Sequence, residues 1–227
     1  MGAMPEEIEP LIAKLDNVTA NLYANNTYYE GTYKGQDVVV AYSKIGKVFA
    51  TLTATILIEK FGCDMLLFSG VAGAISDDLK IGDLVIADGL CQHDLDITAF
   101  GHPFGYVPEG EVCIPTDVNL RHIAKEVAKE KELSLKEGVI ATGDQFVADP
   151  DRKTWIGETF QADALEMEGA SVAVVCHALN IPFFILRAIS DSADMDASFN
   201  FDAFLESSAQ ISADFILSMV EAIAEAS

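Results

Sequence analysis

Positive charge is scarce in this sequence: 14 lysines and arginines stand against 36 aspartates and glutamates in 227 residues, a formal net charge of −22. Such a surface repels polyanions, so neither nucleic acid nor an acidic membrane face is an expected partner. Arginine is reduced to Arg121, Arg152 and Arg187, and neither GxxxxGK[ST] nor GxGxxG occurs. Phosphate chemistry, which uses such loops or arginine clusters, is therefore disfavoured, although the amides around Gly70 to Gly73 could hold a small anion. No apolar run approaches the roughly 18 residues of a membrane span, and no basic leader followed by an apolar stretch is present. Cysteine is limited to Cys63, Cys91, Cys113 and Cys176 with no CxxC pair, which fits reduced thiols rather than a disulfide framework or a zinc site. The expectation is a soluble, cytoplasmic protein.

Half of the residues are hydrophobic, enough for one large α/β domain spanning residues 1–227. "PEEIEPLIAKL" has a proline available for a first helical turn and acids beside it, and "TYYEGTYKGQDVVVAYSKIG" alternates like short strands in hairpins. "KVFATLTATILIEKFG" is a helix stopped at Gly62. It feeds the apolar strand "CDMLLFSG", which is expected to break into a glycine-containing loop at Gly70-Val71-Ala72-Gly73. "IGDLVIADGL" is a further strand, Cys91 to Pro115 a loop, Asp117 to Lys131 an amphipathic helix, and "EGVIATGD" a strand leading into a loop through Asp149-Pro150. "EGASVAVVCHALN" is a buried helix, "PFFILRAIS" a buried strand, and the chain closes on a long amphipathic helix from "FDAFLESS" onward. Strands alternating with helices imply a mostly parallel sheet covered on both faces.

Ligands of open α/β folds bind beyond the carboxyl ends of the strands. The residues there are Ser69 to Gly73, Asp144 to Val147, Glu166 to Glu168 and Arg187 to Asp191, joined by Glu6 and Glu7 near the start. They are acidic, aromatic and small. A ribose diol is held by a carboxylate that accepts both hydroxyl protons, a flat base by an aromatic face, and a leaving base by an acid that protonates it. The set suits a neutral nucleoside.

The segments "GAMPEEI", "SKIGKV", "VAGAISDDLKIGD", "HDLDITAFG", "ATGDQF", "ALEMEGASVAVVC" and "RAISDSAD" occur in this order along nearly the whole chain. Together they resemble the 5′-methylthioadenosine/S-adenosylhomocysteine nucleosidases of the nucleoside phosphorylase superfamily. The resemblance implies a three-layer α/β/α sandwich around a mixed central sheet, a homodimer, and cleavage of an adenine nucleoside without metal or organic cofactor. It implies Glu7 as the carboxylate activating water, Asp191 as the acid for adenine N7, Ser190 as the residue orienting that acid, and Arg187 near Glu7 and the water. Glu168 would bind the ribose hydroxyls and Met167 pack on the sugar, while Phe146 stacks on adenine and the main chain of Val147 addresses the base edge. Ile45, Val71 and Phe201 complete the pocket, and Ile97, Phe100 and Pro108 resemble the part contributed by a partner subunit. 5′-Deoxyadenosine and aminodeoxyfutalosine are further substrates the resemblance allows, and a phosphorylase or a silent nucleoside binder on the same fold are the alternatives. In the family a strand of the type "KIGIIGAM" precedes the first glutamate. Here the residues begin at Met1-Gly2-Ala3-Met4, so the expectation is either a sequence shortened relative to the natural product or another segment covering the exposed sheet positions.

Plainer uses exist for the same residues. Glu6 and Glu7 could complement a helix dipole, and Asp191 could cap a turn in the loop that holds Asp194 and Asp196. His93, Asp94 and Asp96 of "HDLD" lack ligand spacing and are read as structural. Burial at the end of "PFFILRAIS" is expected to raise the Asp191 pKa, the direction a proton donor needs.

Overall fold

The computed structural model describes residues 1–193 and 197–226, with the backbone alone for 197–200. Helix α1 (Pro5–Ile12) is followed by the antiparallel strands β1 (Asp16–Tyr23), β2 (Asn26–Tyr33) and β3 (Gln36–Val40). Next come α2 (Lys47–Glu59), β4 (Leu66–Ala74), β5 (Leu84–Gln92), the short β6 (Cys113–Pro115), α3 (Val118–Glu130) and β7 (Leu135–Thr142). The chain continues through α4 (Pro150–Phe160), β8 (Ala162–Glu166), α5 (Gly169–Leu179), β9 (Phe183–Asp191) and α6 (Ala197–Ala226). The central sheet has the order β6-β5-β7-β8-β4-β9, and β5 also pairs with β9, which curls the sheet onto itself. It is mixed: β4–β9, β5–β7 and β7–β8 run parallel, whereas β4–β8, β5–β6 and β5–β9 run antiparallel.

The layers follow from the two-residue period of a strand. In β9, Phe183, Ile185 and Ile189 pack with residues of α2 and α5, whereas Phe184, Leu186 and Ala188 pack with residues of α1, α3 and α6. Strand β5 divides in the same way, Val85 and Ala87 to one side and Leu84 and Ile86 to the other. A strand buried on both faces has to be apolar throughout, which is why "PFFILRAIS" reads as a continuous run. The result is an α/β/α sandwich.

Two local expectations are corrected, and two stretches without an expectation take on structure. Gly70 to Gly73 do not form a loop, because β4 continues through them to Ala74. These glycines provide clearance rather than a turn: a Cβ on Gly70 would stand 2.7 Å from a Glu7 carboxylate oxygen, and one on Gly73 2.8 Å from an Asp191 oxygen. Strand β6 interrupts the loop expected from Cys91 to Pro115, and the segment after Asp149, to which no element was assigned beyond a loop through Asp149-Pro150, holds α4 and β8. Strand β1 has no counterpart in the apolar pattern because seven of its eight residues are exposed.

At the start of the chain, Gly2 bridges Tyr42 in parallel, and Met1 lies between Leu67 and Ser69, donating to the first carbonyl at 2.7 Å and accepting from the second amide at 3.0 Å. These residues join the hairpin sheet to the central sheet. Beyond them the two sheets stand apart around a groove of about 1080 Å³ lined by residues including Val38, Val40, Met65 and Leu67. Among the described residues, no helix is long and apolar enough to cross a membrane.

Phe184 has no exposed surface and sits between the sheet and the α1/α3/α6 layer. Phe184→Ala is expected to lower stability by about 3–5 kcal/mol in urea unfolding. A loss under about 1 kcal/mol would mean that this layer is not a packed core.

Candidate active site

A pocket of about 270 Å³ opens where β4, β8 and β9 end and the loop after β7 begins. It collects Glu7, Ile45, Val71, Phe146, Val147, Met167, Glu168, Ser190, Asp191 and Phe201 from distant parts of the sequence. Ile97, Phe100 and Pro108 do not line it, and Phe100 is 81% exposed on the loop after β5. Phe146 meets Phe201 edge to face at 5.6 Å between ring centroids, which sets the angle of an aromatic wall.

Glu7 occupies the first turn of α1 but points inward. One carboxylate oxygen accepts from the amides of Ala3 and Met4, and the other from the Val71 amide at 3.0 Å. The anion that the glycine-containing strand can hold is thus the protein's own carboxylate. Burial raises the Glu7 pKa, opposed by the charge of Arg187 and by those three amides. Glu6, its neighbour, is exposed.

Asp191 is buried at the end of β9. Its Oδ1 accepts from the Ala193 amide at 2.8 Å and its Oδ2 from the Ser190 hydroxyl at 3.0 Å. One oxygen therefore serves a local turn while the residue also lines the pocket. Asp194 and Asp196 lie outside the described residues.

The resemblance put Arg187 near Glu7 and the water site, and its charge does act on Glu7, although the side chain is held by other partners. Arg187 is outside the pocket lining, with Nη2 on Glu166 Oε2 at 2.6 Å, Nη1 on the carbonyls of Phe68 and Leu186, and its guanidinium 4.2 Å from the Phe68 ring centroid. It influences Glu7 through its charge. Glu166, to which the sequence reading assigned no role, is the organising partner. It accepts from the Thr142 hydroxyl and from the amides of Glu168 and Gly169, so it fixes the turn from β8 into α5. Part of the signal was available: one arginine inside an apolar strand requires a buried anion, though the sequence does not say which acid supplies it.

Glu168 projects from this turn into the pocket, and its Oε1 accepts from the Gly46 amide at 2.8 Å. Burial, and then the negative charge of Glu166, push its pKa up to about 8. A carboxylate in that state gains from any pair of hydroxyl donors, since they favour its charged form.

The chain belongs to the phosphorylase superfamily, which it matches over residues 1–223. An aminodeoxyfutalosine nucleosidase of Campylobacter jejuni is 57% identical over 97% of this chain and 96% of its own length. A 5′-methylthioadenosine/S-adenosylhomocysteine nucleosidase (MTAN) of Bacillus licheniformis is 39% identical over 98% and 97% respectively. Among solved structures, a Helicobacter pylori MTAN mutant with 5′-methylthioadenosine in its active site is similar with a TM-score of 0.95 and 49% identity, covering 97% of this chain and 96% of that one.

The raised Glu168 pKa has a consequence for stability. Between its ordinary value of 4.5 and about 8 the folded chain keeps a proton that the unfolded chain has released. The stabilisation from that proton is complete below about pH 4.5 and is lost as the pH rises towards 8. In urea unfolding from about pH 5 to 8, the ligand-free protein is expected to lose stability, and Glu168→Gln to lose less. Equal slopes for the two proteins would contradict the assignment.

Proposed function

We propose that this protein is an N-ribosyl hydrolase that releases adenine from 5′-substituted adenine nucleosides: aminodeoxyfutalosine, 5′-methylthioadenosine and S-adenosylhomocysteine, with 5′-deoxyadenosine as a further candidate. The observation that carries the reading is one pocket holding Glu7, Glu168 and Asp191 in different environments. The high identity to an aminodeoxyfutalosine nucleosidase places that nucleoside among the first to test.

In the proposed reaction, adenine lies against Phe146 with N7 towards Asp191, and the ribose hydroxyls donate to Glu168. The bond between N9 and C1′ breaks with its electron pair going to adenine, while Asp191 transfers a proton to N7 so that the base leaves neutral. Positive charge develops on the sugar ring, which the neighbouring carboxylates stabilise. Water adds to C1′ and gives its proton to Glu7. No metal or organic cofactor enters this scheme. Hydrolysis rather than phosphorolysis is supported by the Val71 amide being taken by Glu7, the Gly70 amide by Ser212, and Arg187 by Glu166. A homodimer that brings Ile97, Phe100 and Pro108 of a second copy to the 5′-substituent is part of the proposal, as is a cytoplasmic location.

In phosphate-free buffer, 5′-methylthioadenosine and aminodeoxyfutalosine are expected to yield free adenine, followed by chromatography. Asp191→Asn should lower kcat by ~10²- to 10⁴-fold and change the pH–rate profile. Turnover that starts only on addition of phosphate would exclude hydrolysis, and a wild-type pH profile for Asp191→Asn would exclude its role as the acid.

A further inference from the structure

Asp94 follows β5 and does not line the pocket, yet both of its carboxylate oxygens are engaged. Its Oδ1 accepts from Lys47 Nζ at 2.7 Å, and its Oδ2 accepts from the Asp144 amide at 2.8 Å. Asp144 in turn accepts the Lys47 amide on Oδ1 at 2.7 Å, and Lys47 Nζ donates also to Gln92 at 3.1 Å. The ring so formed ties together the segment after β5, the start of α2 and the loop after β7. The Lys47 and Asp94 side chains keep only 18% and 16% of their accessibility, so the pair is well shielded for one near the surface. Burial raises the Asp94 pKa, but the Lys47 hydrogen bond and charge and the Asp144 amide outweigh it and hold the carboxyl below its ordinary value.

The ring ends on the sugar site. Gly46 precedes Lys47, and its amide is the donor to Glu168. Gly46 adopts φ +100°, a conformation that favours glycine, and a Cβ there would stand 3.0 Å from Asp144 Oδ1. Ile45 and Phe146, which flank this contact on the two tethered segments, both line the pocket. A plain ion pair of this kind contributes little by itself. A carboxylate that bonds simultaneously to a side chain and to a main-chain amide of a different segment fixes geometry.

We propose that Asp94 is a positioning residue for sugar recognition: by locking Lys47 to Asp144 it sets the Gly46 amide that aims Glu168 at the ribose hydroxyls. The inference rests on the reading of Glu168 as the ribose-binding carboxylate. Asparagine at position 94 offers one acceptor and one amino group, so it turns a donor towards either Lys47 or the Asp144 amide and opens the ring.

The test compares kcat/KM for 5′-methylthioadenosine with that for its 3′-deoxy analogue in the wild type, Asp94→Asn, Glu168→Gln and the double variant, with folding checked by thermal unfolding. Asp94→Asn is expected to raise KM for the ribonucleoside ~10- to 100-fold, with a smaller effect on kcat, and to lower the preference for the 3′-hydroxyl ~10-fold. In the double variant that preference should fall no further than in Glu168→Gln alone, the non-additivity expected of residues acting as one unit. If Asp94→Asn does not fold, Asp144→Ala opens the same ring from an exposed position and is expected to act in the same direction. A folded ring variant that keeps the wild-type preference while Glu168→Gln loses it overturns the role of Asp94 alone. Retention of the preference by Glu168→Gln overturns the reading of Glu168 and this inference with it.

Discussion

The ion pair between Arg187 and Glu166 is the constraint from which the site is built. Its side chains are 1% and 2% exposed, and removing two charges from water costs several kcal/mol per ion before their attraction is counted. The cost is offset only if the remaining hydrogen-bonding capacity is also met. Glu166 is met by the Thr142 hydroxyl and the amides that open α5, and Arg187 by two carbonyls and the Phe68 ring. Thr142 also accepts the Ala170 amide, so the end of β7 is tied to the same cluster. Strands β4, β7, β8 and β9 thus reach one point, and the turn that carries Met167 and Glu168 has little freedom to move.

Against this fixed centre, three carboxylates are held in three ways. Glu7 is surrounded by amides, Glu168 sits beside the anionic Glu166 with the Gly46 amide on one oxygen, and Asp191 shares a local turn with Ser190 and Ala193. Gly70 and Gly73 make this possible by leaving space for two of these carboxylates against β4.

Much of the fold was legible because burial on both faces of the sheet demands largely apolar runs, and β4, β5 and β9 announced themselves that way. Strand β1 did not, since its place is set by pairing with β2 across the two-residue turn at Ala24 and Asn25, both at positive φ, and not by burial. The glycines of β4 were misread for a related reason: glycine marks a close approach as readily as a turn, and the approaching carboxylates come from 63 residues before Gly70 and 118 after Gly73. The pocket residues were legible through "EMEG" and "RAISD". The role of Asp94 was not, because its partners Lys47 and Asp144 lie 47 and 50 residues away and meet only in the folded chain.

The dependence of the site on the buried pair is most directly tested by a double-mutant cycle with Arg187→Met and Glu166→Met, read by urea unfolding and by adenine release. Each single variant should lose about 3–5 kcal/mol by stranding a buried charge, and the double variant should recover much of that loss, giving a coupling above about 2 kcal/mol. Turnover should remain lost in the double variant, because the apolar replacement restores packing without holding the Glu168 turn. Additive losses in stability, or a double variant that releases adenine at the wild-type rate, would contradict the central place given to this ion pair.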